Sequence, residues 1–375
     1  MAYNEEEQRW DDADYWTGLV DGLLHIESVP MLRRGHVPLV VPGGADHRRR
    51  LIEDGFFSLE APEESEADSE ADFEDLPMGW GVDVAKIAAA IVKLGEAGWP
   101  PVYILVFDEP WVLRARMGHA LARCGDLVPN FDWAAFHVRR GAEDGAAAAG
   151  VAGAGWAPHR DRDDVSLAAA GAAAGFDADG AARHVTCWVA LTDAGPESSC
   201  LYCVRRRDDP GYRDGDRGRS PLEAIFATSP ASFRAVRCLG PTEAGGAVCF
   251  SHRLLHWGSS PDSGAPARIA ISFGSNPPSN DDGASFGAFA SNVAGEPFKL
   301  RPTTVAPPLR TRVSLAAAQL FVYARSSEPT VDTTESVHRD RHWRAFKRGA
   351  AVFHDHYVSI VAAEMAFSAG SAAAS

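Results

Sequence analysis

The sequence predicts a mainly β core, a sandwich or barrel, with helices packed around it. Three observations predict this. Short apolar segments recur between residues 183 and 275, separated by clusters of Gly, Pro, Asp and Ser. Helical spacing precedes and follows that stretch. At 375 residues, with 46% hydrophobic and 9% aromatic residues, the chain has enough apolar surface to bury a full core.

Taken in order, residues 1 to about 58 mix acidic and aromatic residues with no strong period and end in the turn-rich Val41-Pro42-Gly43-Gly44. Glu60 to Asp75 is densely acidic, with too little apolar content to offset the entropy of ordering, and reads as a mobile loop. From Val82 to Ala97, Val82, Val84, Ile87, Ala88, Ile91 and Leu94 recur at threes and fours, predicting an amphipathic helix stopped by Gly98 and Pro100. The apolar run Val102 to Phe107 predicts a strand, Pro110 opens a helix over Trp111 to Arg123, and Phe131 to Val138 predicts the next strand.

Two Ala/Gly-rich tracts, Ala142 to Gly155 and Leu167 to Ala182, lack the bulk to fill a core and read as loop insertions, with room for a short helix in either. The predicted strands of the middle region are His184 to Leu191, Ser199 to Val204, Phe233 to Cys238, Ala247 to Ser251, His256 to Ser259 and Arg268 to Phe273. Residues 313 to 325 and 336 to 367 return to helical spacing. The expected division is an N-terminal segment, 1–80, carrying the acidic loop (59–76), a β-core domain, 81–300, with the two insertions, and C-terminal helices, 301–375, packed on the core.

Charge excludes some functions. The balance of 36 basic against 51 acidic residues, a net charge of −15, works against binding nucleic acid or anionic lipid. There is no 18-residue apolar run, and the opening Met1-Ala2-Tyr3-Asn4-Glu5-Glu6-Glu7 is acidic, so a cytoplasmic protein without a membrane span is expected. Six cysteines are too few for a secreted disulfide scaffold. Cys200 and Cys203 form a C-x-x-C, but on a strand they face opposite sides, so they read as ordinary strand cysteines rather than half a zinc site.

The chemistry centres on Trp156-Ala157-Pro158-His159-Arg160-Asp161-Arg162. On a β-strand, residues two apart point the same way, so His159 and Asp161 present an imidazole and a carboxylate to one point. A third ligand comes from the strand leading to His256, which suits the site better than His252 because Arg268 follows His256 by twelve residues at the head of an apolar strand. Two histidines and one carboxylate leave one face of a metal open, the arrangement suited to iron(II) oxygenases. The guanidinium of Arg268 matches the distal carboxylate of a keto diacid whose other end chelates the metal.

An H-x-D tripeptide alone carries little weight, since thirteen histidines produce one easily. His338-Arg339-Asp340-Arg341 repeats the same four residues but falls in a predicted helix, where residues two apart diverge, and His354 and His356 meet the same objection.

With these residues in place, Phe131 to Phe273 resembles the phytanoyl-CoA dioxygenase-like family of Fe(II) and 2-oxoglutarate oxygenases. The resemblance is carried by Pro158-His159-Arg160-Asp161-Arg162, Val185-Thr186-Cys187-Trp188-Val189-Ala190-Leu191-Thr192-Asp193-Ala194, Ser199-Cys200-Leu201-Tyr202, His256 and Arg268. It implies a double-stranded β-helix (jelly-roll, cupin-like), with iron at His159, Asp161 and His256, and 2-oxoglutarate at Arg268 beside Trp188. An inward-facing core residue is the alternative reading of Trp188.

The resemblance further implies that dioxygen and 2-oxoglutarate are co-substrates, that succinate and carbon dioxide are released, and that an unactivated C–H bond is hydroxylated. Related halogenases replace the carboxylate with a small residue, so Asp161 implies hydroxylation. The family's usual Asn-Gly turn and Pro-Gly-Ser-His run are replaced here by Pro196-Glu197-Ser198-Ser199-Cys200 and Val204-Arg205-Arg206-Arg207-Asp208, which leaves the small-molecule substrate open. Arg205, Arg206 and Arg207 suit an anionic or acyl-CoA-like substrate, but followed by two aspartates they read more simply as a solvated loop. A cupin-like binding protein and a zinc hydrolase with the same ligands are the alternatives.

Overall fold

The computed structural model describes residues 9–372 apart from 38, 40–42, 62–79, 140–150, 153–154, 162–174, 214, 217–219, 229–234, 241, 278–296, 300–303 and 324–335. Nearly all of the acidic stretch, most of the first Ala/Gly-rich tract and half of the second therefore lie outside the described residues, as does the start of the strand expected from Phe233.

The chain opens with helices α1 (Ala13–Leu19), α2 (Val29–Arg34) and α3 (Gly44–Glu53), then strand β1 (Phe56–Leu59). Helix α4 (Val84–Glu96) follows, capped by the Asp83 carboxylate, which accepts from the Ala85 and Lys86 amides. Next come a 3-10 helix (Pro101–Val106) and α5 (Asp108–Ala122). The β region comprises β2 (Val128–Val138), β3 (Val151–Ala152), β4 (Val185–Ala190), β5 (Leu201–Val204), helix α6 (Pro221–Thr228), β6 (Val236–Cys238), β7 (Ala247–Ser251), β8 (Leu255–Gly258) and β9 (Arg268–Asn276). Helices α7 (Leu309–Tyr323), α8 (Ser336–Gly349) and α9 (Asp355–Ala372) complete it.

The strands form two sheets, ordered β1-β7-β4-β9-β2-β3 and β6-β5-β8. All pairings are antiparallel except β2 with β3. From β4 the chain passes to the small sheet for β5 and β6, returns for β7, crosses again for β8 and returns for β9. An isolated antiparallel bridge between His159 and His256 places the His159 stretch beside β8 at the edge of the small sheet. This alternation between two facing sheets is the double-stranded β-helix, and the fold is a mainly β core with flanking helices.

Both faces of the large sheet are buried, so its strands read as near-continuous apolar runs. The two-residue period then sorts the side chains. Val185, Cys187, Val189, Cys249, Ile269, Ile271 and Phe273 join the outer core with the helices, whereas Trp188, Ala190, Val248, Phe250 and Ala270 join the inner cluster between the sheets. The outer core runs from Trp10 to Val361 and takes residues from all three stretches of the chain.

Most of the expected elements are present with ends shifted by a few residues, and two of the differences have a clear physical reason. The run at Val102 to Phe107, expected as a strand, is the fully buried 3-10 helix Pro101–Val106. A short apolar run fits a buried helix turn and a buried strand equally, and Pro100 and Pro101 lack the amides a central strand needs. Helix α5 starts at Asp108 rather than at Pro110. Asp108 is there because its buried carboxylate accepts from the Glu27 and Ser28 amides and pairs with Arg312 on α7 at 2.6 Å, joining three distant parts of the chain. Among the described residues, no helix is long and apolar enough to cross a membrane.

Candidate metal centre

Each imidazole of the expected trio is fixed by its own backbone. His159 and His256 exchange backbone hydrogen bonds, the His159 amide donating to His256 O at 2.9 Å and the His256 amide to His159 O at 3.0 Å. The pairing sets the rings 4.4 Å apart between centroids. His159 Nδ1 donates to Ala157 O at 2.7 Å and His256 Nδ1 to Leu254 O at 3.0 Å, which leaves Nε2 of both as the free lone pair. Between them stands Asp161, whose Oδ1 lies 3.4 Å from His256 Nε2 and 3.7 Å from His159 Nε2. Ligand atoms of the three residues all lie within 4.8 Å of one another, a spacing able to hold one metal ion. The His159 stretch is a single bridge rather than the full strand expected, and that bridge suffices to aim His159 and Asp161 at a common point.

The site is open on one side. His159 and Asp161 are part-exposed, whereas His256 is buried with Phe250 packed 4.5 Å from its ring. Burial pushes the His256 imidazole down to about 4, against the opposing charge of Asp161, so it is neutral at pH 7 as a metal ligand must be. Stability follows with a definite sign. An unfolded histidine titrates near ~6.5, so between that value and about 4 the unfolded metal-free chain binds more protons, and stability, complete above ~6.5, is lost as pH falls. The unfolding free energy of the metal-free protein, from urea titration, is expected to drop across that window by up to roughly 3 kcal/mol more than in His256→Gln. Parallel curves for the two proteins would contradict this.

Arg268 and Trp188, the other two residues singled out, meet each other. The Arg268 guanidinium is 1% exposed and lies between the rings of Trp156 and Trp188, 5.3 and 5.5 Å from their centroids. Its Nε and Nη1 have no hydrogen-bond partner among the described residues, and burial lowers its pKa to about 10. Two strand relationships place it near the His159, Asp161 and His256 cluster. A Cβ built on Gly258 would lie 3.9 Å from Arg268 Nη1, and Gly258 is two residues beyond His256 on β8, roughly 7 Å along the strand. Trp188 is likewise two residues beyond Thr186, whose hydroxyl donates to Asp161 Oδ2. Gly258 leaves room for Trp156, since a Cβ there would stand 3.1 Å from the indole.

Three features escaped the sequence reading. Thr186 faces the barrel interior with Trp188, so strand alternation alone could have nominated it. Trp156 covers Arg268 and packs edge-on against Phe136 at 5.1 Å. Arg160, between the two ligands in sequence, points the other way and is buried. It donates to both Asp209 oxygens (2.6 and 3.0 Å), both Asp216 oxygens (2.7 and 2.9 Å) and Arg253 O (2.6 Å). Burial alone would lower its pKa, but the hydrogen bonds to Asp216 and Asp209 outweigh that and raise it.

The competing residues sit elsewhere. His252 is buried and donates from Nδ1 to His184 O at 3.0 Å. The second H-x-D copy lies in α8, and His356 in α9. Cys203 belongs to the inner cluster, whereas Cys200 Sγ approaches Cys238 Sγ at 3.1 Å, and all six cysteines are free thiols. The three consecutive arginines are engaged within the chain: Arg205 with Asp208, Arg207 with Asp54, and Arg206 with the Gly180 and Ile52 carbonyls.

No family model matches the chain, and no curated protein matches it significantly. Among solved structures it is similar to the non-haem α-ketoglutarate-dependent epimerase SnoN from nogalamycin biosynthesis, at 18% identity and TM-score 0.40, covering 62% of this chain and 80% of that one. It is similar to AviO1 from Streptomyces viridochromogenes Tue57, at 18% identity and TM-score 0.39, covering 64% and 98%. It is also similar to EctD from S. alaskensis, a structure with 2-oxoglutarate and 5-hydroxyectoine, at 13% identity and TM-score 0.39, covering 68% and 82%. At this level of likeness the chemistry has to be read from the site's own residues.

Proposed function

We propose that this chain is a non-haem iron(II), 2-oxoglutarate-dependent oxygenase that hydroxylates an unactivated C–H bond of a small molecule. The observation that carries the reading is the pairing of a three-residue cluster, open on one side, with a buried arginine whose Nε and Nη1 are unpartnered among the described residues. His159, Asp161 and His256 are the proposed metal ligands, and two imidazoles with one carboxylate is the donor set iron(II) oxygenases use. A buried cation with two of its nitrogens unpartnered is costly, so Arg268 fits a site built for an anion that arrives with the ligand. The distal carboxylate of 2-oxoglutarate has the charge and the planar shape for its fork.

When bound, iron, 2-oxoglutarate and dioxygen supply the oxidising power, with 2-oxoglutarate ending as succinate and carbon dioxide. The chain's own residues do the rest. Carbonyls of Ala157 and Leu254 hold each imidazole in the tautomer that offers Nε2. Trp156 and Trp188 both pack against the Arg268 guanidinium and shield it from water. The part-exposed flank formed by His159 and Asp161 is where substrate approaches.

Replacing Arg268 tests the reading with two opposed effects. Arg268→Met is expected to weaken 2-oxoglutarate binding about 10- to 100-fold, from the ~1.5–3 kcal/mol of charged hydrogen bonds, and to leave metal binding intact. The same change is expected to raise the unfolding stability of the ligand-free protein, since an unpartnered buried cation becomes an apolar side chain. Unchanged 2-oxoglutarate affinity would sink the assignment of Arg268. A hydrolytic activity with zinc that ignores Arg268 would favour a hydrolase, and an iron-loaded protein that never forms succinate would favour a binding protein.

A further inference from the structure

We propose that Thr186 is a positioning residue that holds Asp161 to one-oxygen coordination and so keeps the third exogenous metal position free. The inference rests on the ligand set proposed above. The two oxygens of Asp161 are used differently. Oδ1 faces both imidazole Nε2 atoms, at 3.4 and 3.7 Å, and Oδ2 accepts the Thr186 hydroxyl hydrogen. A donor on Oδ2 competes directly with a metal for that oxygen and makes the two ends of the carboxylate unequal.

Thr186 is well suited to the task. It sits inside β4, flanked in register by Phe250 of β7 and Gly274 of β9, so its backbone is held on both sides. Its side chain is β-branched and therefore stiff about χ1, which keeps the hydroxyl aimed at the carboxylate.

Coordination arithmetic shows why this matters. Iron(II) in such a site takes roughly six ligands, and three from the protein leave three. A chelating keto acid needs two of these and dioxygen needs one. Were Asp161 to bind through both oxygens, the set would be one position short. The structure thus assigns to a neutral hydroxyl on β4 the role of preserving the position where the oxidant binds.

The test compares Thr186→Val, Thr186→Ala and Thr186→Ser with wild type, using nitric oxide as an anaerobic stand-in for dioxygen. With iron(II) and 2-oxoglutarate, wild type and Thr186→Ser are expected to give the full paramagnetic nitrosyl signal. The two hydroxyl-free variants should retain metal but bind nitric oxide roughly 10-fold or more weakly, the scale of lost outer-shell partners. A hydroxyl-free variant that folds, takes up iron and binds nitric oxide like wild type would overturn the proposal. Failure of the proposed function reads differently, because wild type itself would then not respond to 2-oxoglutarate. Cobalt(II) alone decides the role of Thr186 in that event. Altered visible bands in the Val and Ala variants, with wild-type bands in Ser, support it, and identical bands in all four overturn it.

Discussion

His256→Ala is expected to abolish stoichiometric metal binding and, with it, 2-oxoglutarate turnover. Losing an outer-shell partner costs roughly 10- to 100-fold in metal affinity, and losing one of three protein ligands should cost more. His256 is the buried member of the trio, its ring fixed by Leu254 O and backed by Phe250. The chain also provides a control. Asp340 belongs to a second H-x-D sequence, but it is exposed on α8, and Asp340→Ala should leave metal uptake unchanged. Equilibrium titration with iron(II) or cobalt(II) measures both. Wild-type affinity in His256→Ala would remove that residue from the site.

Arg160→Met is expected to destabilise the fold by about 3–5 kcal/mol, the cost of breaking a buried ion pair and stranding its partner. The Arg160 side chain is 1% exposed and Asp209 is 0% exposed, so the stranded carboxylate has no water to turn to. Asp216 loses its partner as well. Removing the charges together, in Arg160→Met with Asp209→Asn and Asp216→Asn, should recover part of the loss, because the three residues act as one network. Urea unfolding of the metal-free proteins gives the values. A loss below about 1 kcal/mol would show that the network is not what fixes the segment between His159 and Asp161.

The parts of the fold readable in the sequence were those with local cause. Strand β7 runs over Ala247–Ser251 as its apolar pattern predicts, and α4 begins where Asp83 caps it. The H-x-D spacing was informative because a two-residue step on extended backbone has one geometric meaning. What stayed hidden depends on partners far along the chain. Phe56–Leu59 is a four-residue strand that exists through pairing with Phe250 to Ala247, about two hundred residues away, and nothing local marks it. The partners of Arg160 lie 49 and 56 residues onward. Its position between two ligands does fix its direction, since the residue between two inward-facing neighbours faces out. The 3-10 helix at Pro101–Val106 was misread because burial on all sides erases the periodicity that separates helix from strand.

The Arg268 arrangement has a consequence for folding as well as binding. Its unpartnered donors make the ligand-free barrel less stable than its apolar content allows, and an anion that satisfies them stabilises the folded state by mass action. If Arg268 recognises the co-substrate as proposed, stability is given up at a functional position, the usual location of such a conflict.

In the proposed site two segments of the chain, one carrying His159 and Asp161 and the other His256, hold one iron ion beside a carboxylate-binding arginine. Anaerobic addition of 2-oxoglutarate to the iron(II)-loaded wild-type protein tests it most directly. A visible metal-to-ligand charge-transfer band is expected that saturates at one equivalent and is absent from His256→Ala. Iron bound by the wild type with no such band at any 2-oxoglutarate concentration would contradict it.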